Sequence, residues 1–334
     1  MGRRGGAAMD VSNLLIPAVL FFALGFLAQG VKSDLKFPPE LAKALSIYLL
    51  LGIGLKGGIE LSHAQLGEAV EAVVAALVLG FALPILAYAI LLAGRLDKLN
   101  ASAIAAHYGS VSAGTFLTAI AYLNAQNIEY ESYPVIMLAI MESPAIIVGL
   151  LLARFSRGSA KPHDEDAREN RMGELLRDAF TNGSVILLFG GMLIGFVVKP
   201  DSLATITPFF GTLFMGALSL FLLEMGMEAG KRIGEFRRVG WFLVAFGVLM
   251  PLIGGAAGLL VGHYWLGFGM GGTMLVAVLG ASASYIAVPP AMRLAIPEAN
   301  PSYYLTLSLG VTFPFNVIIG IPLYHYFAAR LTGG

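Results

Sequence analysis

Long apolar runs separated by short polar connections dominate the chain. A helix needs about 20 mostly apolar residues to cross the hydrocarbon core of a bilayer. Ten stretches approach that length: 11–30, 38–55, 70–93, 99–123, 133–154, 181–198, 204–227, 239–262, 271–293 and 302–328. The second and sixth are the weakest, being short or interrupted by charge. Arg3 and Arg4 ahead of the first run imitate a signal peptide, but that run is long and lacks a clear small-x-small cleavage site, so it reads as a span. The alternating ten-residue strands of a membrane barrel are absent. The pattern predicts an all-α integral membrane protein of ten transmembrane helices.

Composition narrows the function classes. Apolar residues make up 57% of the chain and charged residues 13%, against roughly 45–50% and 25% in a soluble domain. Such a chain cannot cover its surface with polar groups, which excludes a soluble enzyme, a nucleic-acid binder and a disordered protein. Without cysteine there are no disulfides, thiol nucleophiles or thiolate metal sites. The 21 basic and 21 acidic residues cancel, but their distribution does not. With ten spans, one side of the membrane receives Arg3, Arg4, Lys56, Lys199 and Arg330, and the other receives the remaining sixteen basic residues. That bias places both termini outside. The polar stretch 155–176 is then a cytoplasmic linker at the midpoint. The organisation expected is a first five-helix repeat over 1–155, a linker over 156–178 and a second repeat over 179–334.

The two halves correspond. At offsets of 170–172, Leu24-Gly25-Phe26 matches Ile194-Gly195-Phe196, and Gly54 and Gly58 match Gly226 and Gly230. Gly109–Ser112 falls opposite Gly280–Ser284, Glu131-Ser132-Tyr133 opposite Pro301-Ser302-Tyr303, and Pro144 opposite Pro314. Five spans per half make the repeat inverted, a device of secondary transporters.

The fourth and ninth spans are small and polar at their centres: His107–Thr115 reads HYGSVSAGT, and Gly280–Pro290 reads GASASYIAVPP. Glycine and proline interrupt the backbone ladder there. Backbone groups freed in hydrocarbon are tolerated where they line a cavity. Paired breaks in an inverted repeat therefore point to a substrate site, with two broken helices crossing. Half-helix N-termini and the hydroxyls of Ser110, Ser112, Thr115, Ser282 and Ser284 suit a small oxygen-rich monoanion. The same small residues also permit close helix packing, the reading preferred for Gly254, Gly258 and Gly262. Glu142, two residues before Pro144 and opposite Thr312 in the repeat, would ligate a cation or exchange a proton. Glu224 and His107 read first as structural groups, and Asn316 as either a support for the tenth span or a cavity residue.

At these residues the chain resembles the sodium-dependent bicarbonate transporters, best known from inorganic-carbon uptake in cyanobacteria. The likeness is densest over Gly52–Gly58 (GIGLKGG), Gly109–Thr115 (GSVSAGT), Met225–Arg232 (MGMEAGKR) and Val276–Asn300. The resemblance implies a core and a gate bundle drawn from both repeats, a bacterial plasma-membrane location, and bicarbonate bound where the broken helices cross, with sodium nearby. It also implies a homotrimer and, in some members, a PII-like regulatory protein on the cytoplasmic side. Carried onto matching positions, Gly109, Ser112, Thr115, Ser282 and Ser284 belong to the site, with Ser110, Ala113, Gly114 and Ala283 in the same two runs. The chain departs from the pattern in four places. Tyr285 replaces an acid that would be a natural sodium ligand, Glu142 replaces an aspartate, Ala113-Gly114 replaces Gly-Ser, and the cytoplasmic linker is short. The ion-coupling residues expected are Glu142, Tyr285 and Thr312, with a sodium site near Glu142, Ser284 and Tyr285.

The function expected is alternating-access transport of a small monoanion, sodium-coupled bicarbonate uptake first. A proton-coupled or uncoupled carrier of another small carboxylate and a non-transporting membrane sensor are the alternatives. No cofactor other than a coupling ion is expected. No Ser/His/Asp arrangement, His-Glu-x-x-His or phosphate-binding Gly-Lys-Ser/Thr loop indicates an enzyme.

Overall fold

In the computed structural model, residues 16–62, 66–157, 183–198 and 205–333 are described, together with Arg177 and Ser202. Most of the 156–178 linker and the start of the first predicted span lie outside the described residues. Every regular element among them is helical. Apart from three pieces of three to five residues (Thr207–Gly211, Ile233–Glu235 and Phe236–Val239), in chain order they are α1 (Pro17–Gly30), α2 (Pro39–Leu61), α3 (Leu66–Ala93), α4 (Lys98–Gly109), α5 (Ala113–Ala125), α6 (Tyr133–Arg157) and α7 (Gly183–Val197). They continue with α8 (Phe214–Arg232), α9 (Trp241–Trp265), α10 (Met270–Gly280), α11 (Val288–Ala295) and α12 (Pro301–Thr332). Among the described residues, six helices are long and apolar enough to cross a membrane, and three shorter apolar helices accompany them.

Local chemistry sets many of the ends. Proline opens α1, α2 and α12, where its missing N–H costs nothing. Asp97 caps α4 by accepting from the Asn100 N–H at 3.0 Å, and Asn300 caps α12 by accepting from the Ser302 N–H at 3.0 Å. Trp241 opens α9 largely exposed, and Tyr264 and Trp265 close it, an aromatic residue at each membrane interface. Leu20, Leu24 and Leu27 on α1 and Val70, Val74 and Val78 on α3 are exposed stripes suited to lipid. Two spans differ from expectation. The seventh, expected over 204–227, has its main helix over Phe214–Arg232, and α2 does not stop at 55 but runs to Leu61. Lys56 does not end it, because its ammonium donates to the Tyr130 hydroxyl at 2.7 Å and sits 3.9 Å from Glu60 one turn on.

Two sets of helices pack most closely within themselves. In one, α1 lies along α8 and α2 along α7. Glycine makes this possible: a Cβ at Gly25 would strike the Leu223 carbonyl, at Gly226 the Phe22 carbonyl, at Gly58 the Met192 carbonyl and at Gly195 the Leu55 carbonyl. Backbones meet directly, as expected where van der Waals packing replaces a hydrophobic driving force. In the other set, α3 packs on α4 and α6, and α9 and α12 on α10. Gly254, Gly258 and Gly262 seat α9 against Gly280, Val276 and Thr273 of α10, in agreement with their reading as packing residues. Pro144 of α6 fits against Gly80 of α3, and Pro84 of α3 against Gly109 of α4.

Replacing Gly58 or Gly226 by leucine should cost about 2–3 kcal/mol or more, read as a lowered Tm of the detergent-purified protein. Gly30→Leu, where a Cβ meets nothing within 4 Å, should leave Tm within error.

Candidate functional site

Both predicted interruptions are present. α4 ends at Gly109, Ser110 and Ser112 are extended, and α5 begins at Ala113. α10 ends at Gly280, and non-helical backbone runs through Ala281 to α11. The two breaks touch: the Ser284 N–H donates to the His107 carbonyl at 2.8 Å. Other freed groups find partners nearby. Asn316 Nδ2 donates to the Ala281 carbonyl at 2.7 Å, and the Tyr324 hydroxyl, 3.1 Å from the Pro251 carbonyl, donates to Asn316 Oδ1 at 3.2 Å. Asn316 is thus a support for the second break. Ser112 caps α5 by accepting from the Thr115 N–H at 3.1 Å and the Thr115 hydroxyl at 2.9 Å. The first N–H groups of α5, at Ala113 and Gly114, have no intrahelical acceptor, and they form the positive end of a helix dipole.

Between the breaks lies a cavity of about 10 Å³, room for about one water or a small ion. Val111, Ser112, Ala113, Ser284, Tyr285, Ile286 and Ala287 line it, with Glu142 from α6 and Ser46 and Leu50 from α2. Glu142 is only 8% exposed, and its Oε2 has no hydrogen-bond partner. The Tyr285 hydroxyl is also buried and has no hydrogen-bond partner. Among the described residues no three His, Asp or Glu side chains converge, so a cation here would rest on one carboxylate, hydroxyls and backbone. Hard cations accept such an all-oxygen set.

The predicted residues divide. Ser112, Ala113, Ser284, Glu142 and Tyr285 meet at the cavity. Ser110 is buried beside them, with an unpartnered hydroxyl. Others are engaged elsewhere. Thr312 donates to the Gly247 carbonyl at 2.7 Å and lies 2.7 Å from the Tyr108 hydroxyl, tying α12 to α9 and α4 rather than facing Glu142. Ser282 donates to the Val278 carbonyl at 2.6 Å. Thr115 is spent on Ser112, and Gly109 serves the contact with Pro84. His107 is fully buried, with Nδ1 2.6 Å from the Ala103 carbonyl oxygen and its ring stacked on Tyr304 at 4.4 Å. Ala283 is buried in the second break. Ser46 and Leu50 were not expected: the resemblance and the repeat both directed attention to the breaks, and Ser46 is a lone hydroxyl in the Leu45–Ile47 run.

Gly114 has a specific role here. A Cβ on it would fall closer than 3.0 Å to the Tyr285 hydroxyl. The resemblance implies serine at 114 and an acid at 285, and this chain carries another residue at each. One contact joins the two positions, because the Tyr285 hydroxyl occupies the space that a side chain at 114 would enter.

The fold and cavity define a multi-pass α-helical membrane protein with broken helices meeting at a buried polar site. The sequence profile of the Na+-dependent bicarbonate transporter superfamily matches residues 17–329, and the chain belongs to that family. Membership of a transporter family implies a carrier rather than an enzyme. No curated protein matches the chain.

Gly114→Ala should cost about 1–3 kcal/mol of stability in the native background. In a Tyr285→Phe background, which removes the hydroxyl a Cβ would strike, the cost should fall by at least about 1 kcal/mol. Thermal melts of the four proteins in one detergent check the cycle.

Proposed function

We propose that the protein is a secondary active transporter of a small monoanion, with sodium-coupled bicarbonate uptake as its reaction. The observation that carries this reading is the meeting of two helix breaks at one water-sized cavity, with the lone Glu142 carboxylate beside it. The α5 N-terminus, with its cap at Ser112, offers N–H groups and a positive dipole end to an anion. Glu142 and the hydroxyl oxygens of Ser112 and Ser284 offer a cation the opposite charge. An anion and its coupling ion sharing one site would neutralise each other as they leave water. The Na+-dependent family match supports the same pairing.

Alternating access requires two bodies that move. α1, α2, α7 and α8 are the proposed gate, and the remaining helices the core. Ten spans in two inverted repeats belong to the same proposal. The α1–α8 and α2–α7 pairs exchange under the repeat, and their contacts agree: Gly226 meets the Phe22 carbonyl and Gly58 the Met192 carbonyl. Phe22 and Met192 stand 170 residues apart, so these contacts favour pairing Gly58 with Gly226 at an offset of 168 over pairing Gly54 with Gly226 and Gly58 with Gly230 at 172. Outward termini, a bacterial plasma membrane, a trimer and a PII-like cytoplasmic partner belong to the same proposal.

Tyr285 favours a second reading. Its ring fills the position of the family acid, so Glu142 would act alone as a proton carrier in a sodium-independent transporter of another small carboxylate. A sensor that binds without turnover is the limiting case.

Purified protein in liposomes should take up labelled bicarbonate faster with an inward sodium gradient, and Glu142→Gln should remove that stimulation. Uptake indifferent to sodium but dependent on pH, with the pH dependence lost in Glu142→Gln, would select the second reading; binding without uptake would select the sensor.

A further inference from the structure

Three helices that line the small cavity also line a second, larger one. The lining follows on along each helix: from Leu50 to Gly52 and beyond on α2, from Ala113 to Ile120 on α5, and from Glu142 to Val135 on α6. These steps are two residues on α2 and seven on α5 and α6, about 3 to 10 Å of helix, so the two cavities stack along one seam. The larger one has a volume of about 310 Å³ and mostly apolar walls, Phe210 and Phe214 among them. It lies at the ends of α2 and α5 and the start of α6, the side that the charge bias makes external.

Lys56 is the basic residue in its lining. A cation within a membrane-spanning helix is expensive and marks function by default. Half of its side chain, 53%, is exposed. Its ammonium spends one N–H on the Tyr130 hydroxyl at 2.7 Å, and Glu60 at 3.9 Å is beyond hydrogen-bond reach. Two of the three donors are therefore outside that bond, on a side chain that lines the cavity. Tyr130 can pass a hydrogen bond onward, because its hydroxyl accepts from Lys56 and still has its own proton to give. The Asn124 side chain lines the same space.

We propose that this larger cavity is an anion-collecting antechamber, in which a small carboxylate-type monoanion of bicarbonate size binds Lys56, Tyr130 and Asn124 before moving along the seam to the helix breaks. The proposal rests on the anion-carrier reading above. Glu60 limits the affinity, so the anion is held strongly enough to gather and weakly enough to leave, the condition for conduction through successive sites.

Two measurements test it. In proteoliposomes, Lys56→Gln should raise the KM for bicarbonate about tenfold, the loss expected for one charge-assisted hydrogen bond, with a smaller effect on the maximal rate and a flatter dependence on ionic strength. Lys56→Arg should keep most of the native KM, and Glu60→Gln should lower it. In the detergent-purified native protein, bicarbonate or formate should slow labelling of Lys56 by an amine reagent, followed by mass spectrometry, at least about threefold relative to gluconate at equal ionic strength. Protected labelling without uptake would keep the antechamber and sink the carrier reading. Native uptake with an unchanged KM in Lys56→Gln and no protection would overturn the antechamber and leave the carrier intact.

Discussion

The structure depends on a debt incurred by its own backbone. Two helices are interrupted at membrane depth, and each interruption frees N–H and carbonyl groups that hydrocarbon cannot solvate. Each freed group costs several kcal/mol unless a partner meets it. The breaks meet that demand partly by binding each other, through the Ser284 N–H and the His107 carbonyl. Much of the remaining polar chemistry of the core follows from this. Asn316 and Tyr324 attend to the second break, Ser112 attends to the first turn of α5, and Ser282 turns back to its own helix. Among the buried side-chain atoms left without a partner in the described residues, Glu142 Oε2 and the Tyr285 hydroxyl belong to residues that line a space large enough for an ion, and the Ser110 hydroxyl belongs to the first break; others, at Glu131 and Arg232, lie outside that lining.

The glycines have two separate jobs. In the α1–α8 and α2–α7 pairs they bring backbones together over whole turns, making two rigid double helices. At the breaks they permit the chain to leave the helix and, at Gly114, to admit an aromatic ring. A protein built from rigid pairs beside a hydrogen-bonded core can move as bodies without breaking the contacts that hold each body together.

The breaks were legible because glycine, serine and proline collect there in runs that no ordinary span needs. The helical, apolar character of the chain was legible from length and composition, but helix ends were not: the seventh expected span is displaced to Phe214–Arg232, and Lys56 imitated an end of α2, where the Tyr130 hydroxyl gives its ammonium a partner. The fate of individual hydroxyls was not legible. Ser282 and Thr312 look like Ser112 in sequence, yet each is spent on a backbone carbonyl, and only the direction of the side chain separates them. Ser46 and Leu50 were missed for the complementary reason, since a site wall contributed by a neighbouring helix leaves no motif.

The contact between Gly114 and Tyr285 also ties the two breaks into one steric unit. A side chain added at 114 must push the Tyr285 hydroxyl aside, and that hydroxyl belongs to a residue in the cavity wall. The size of the residue at 114, in the first turn of α5, therefore sets how far the ring of the second break reaches into the cavity.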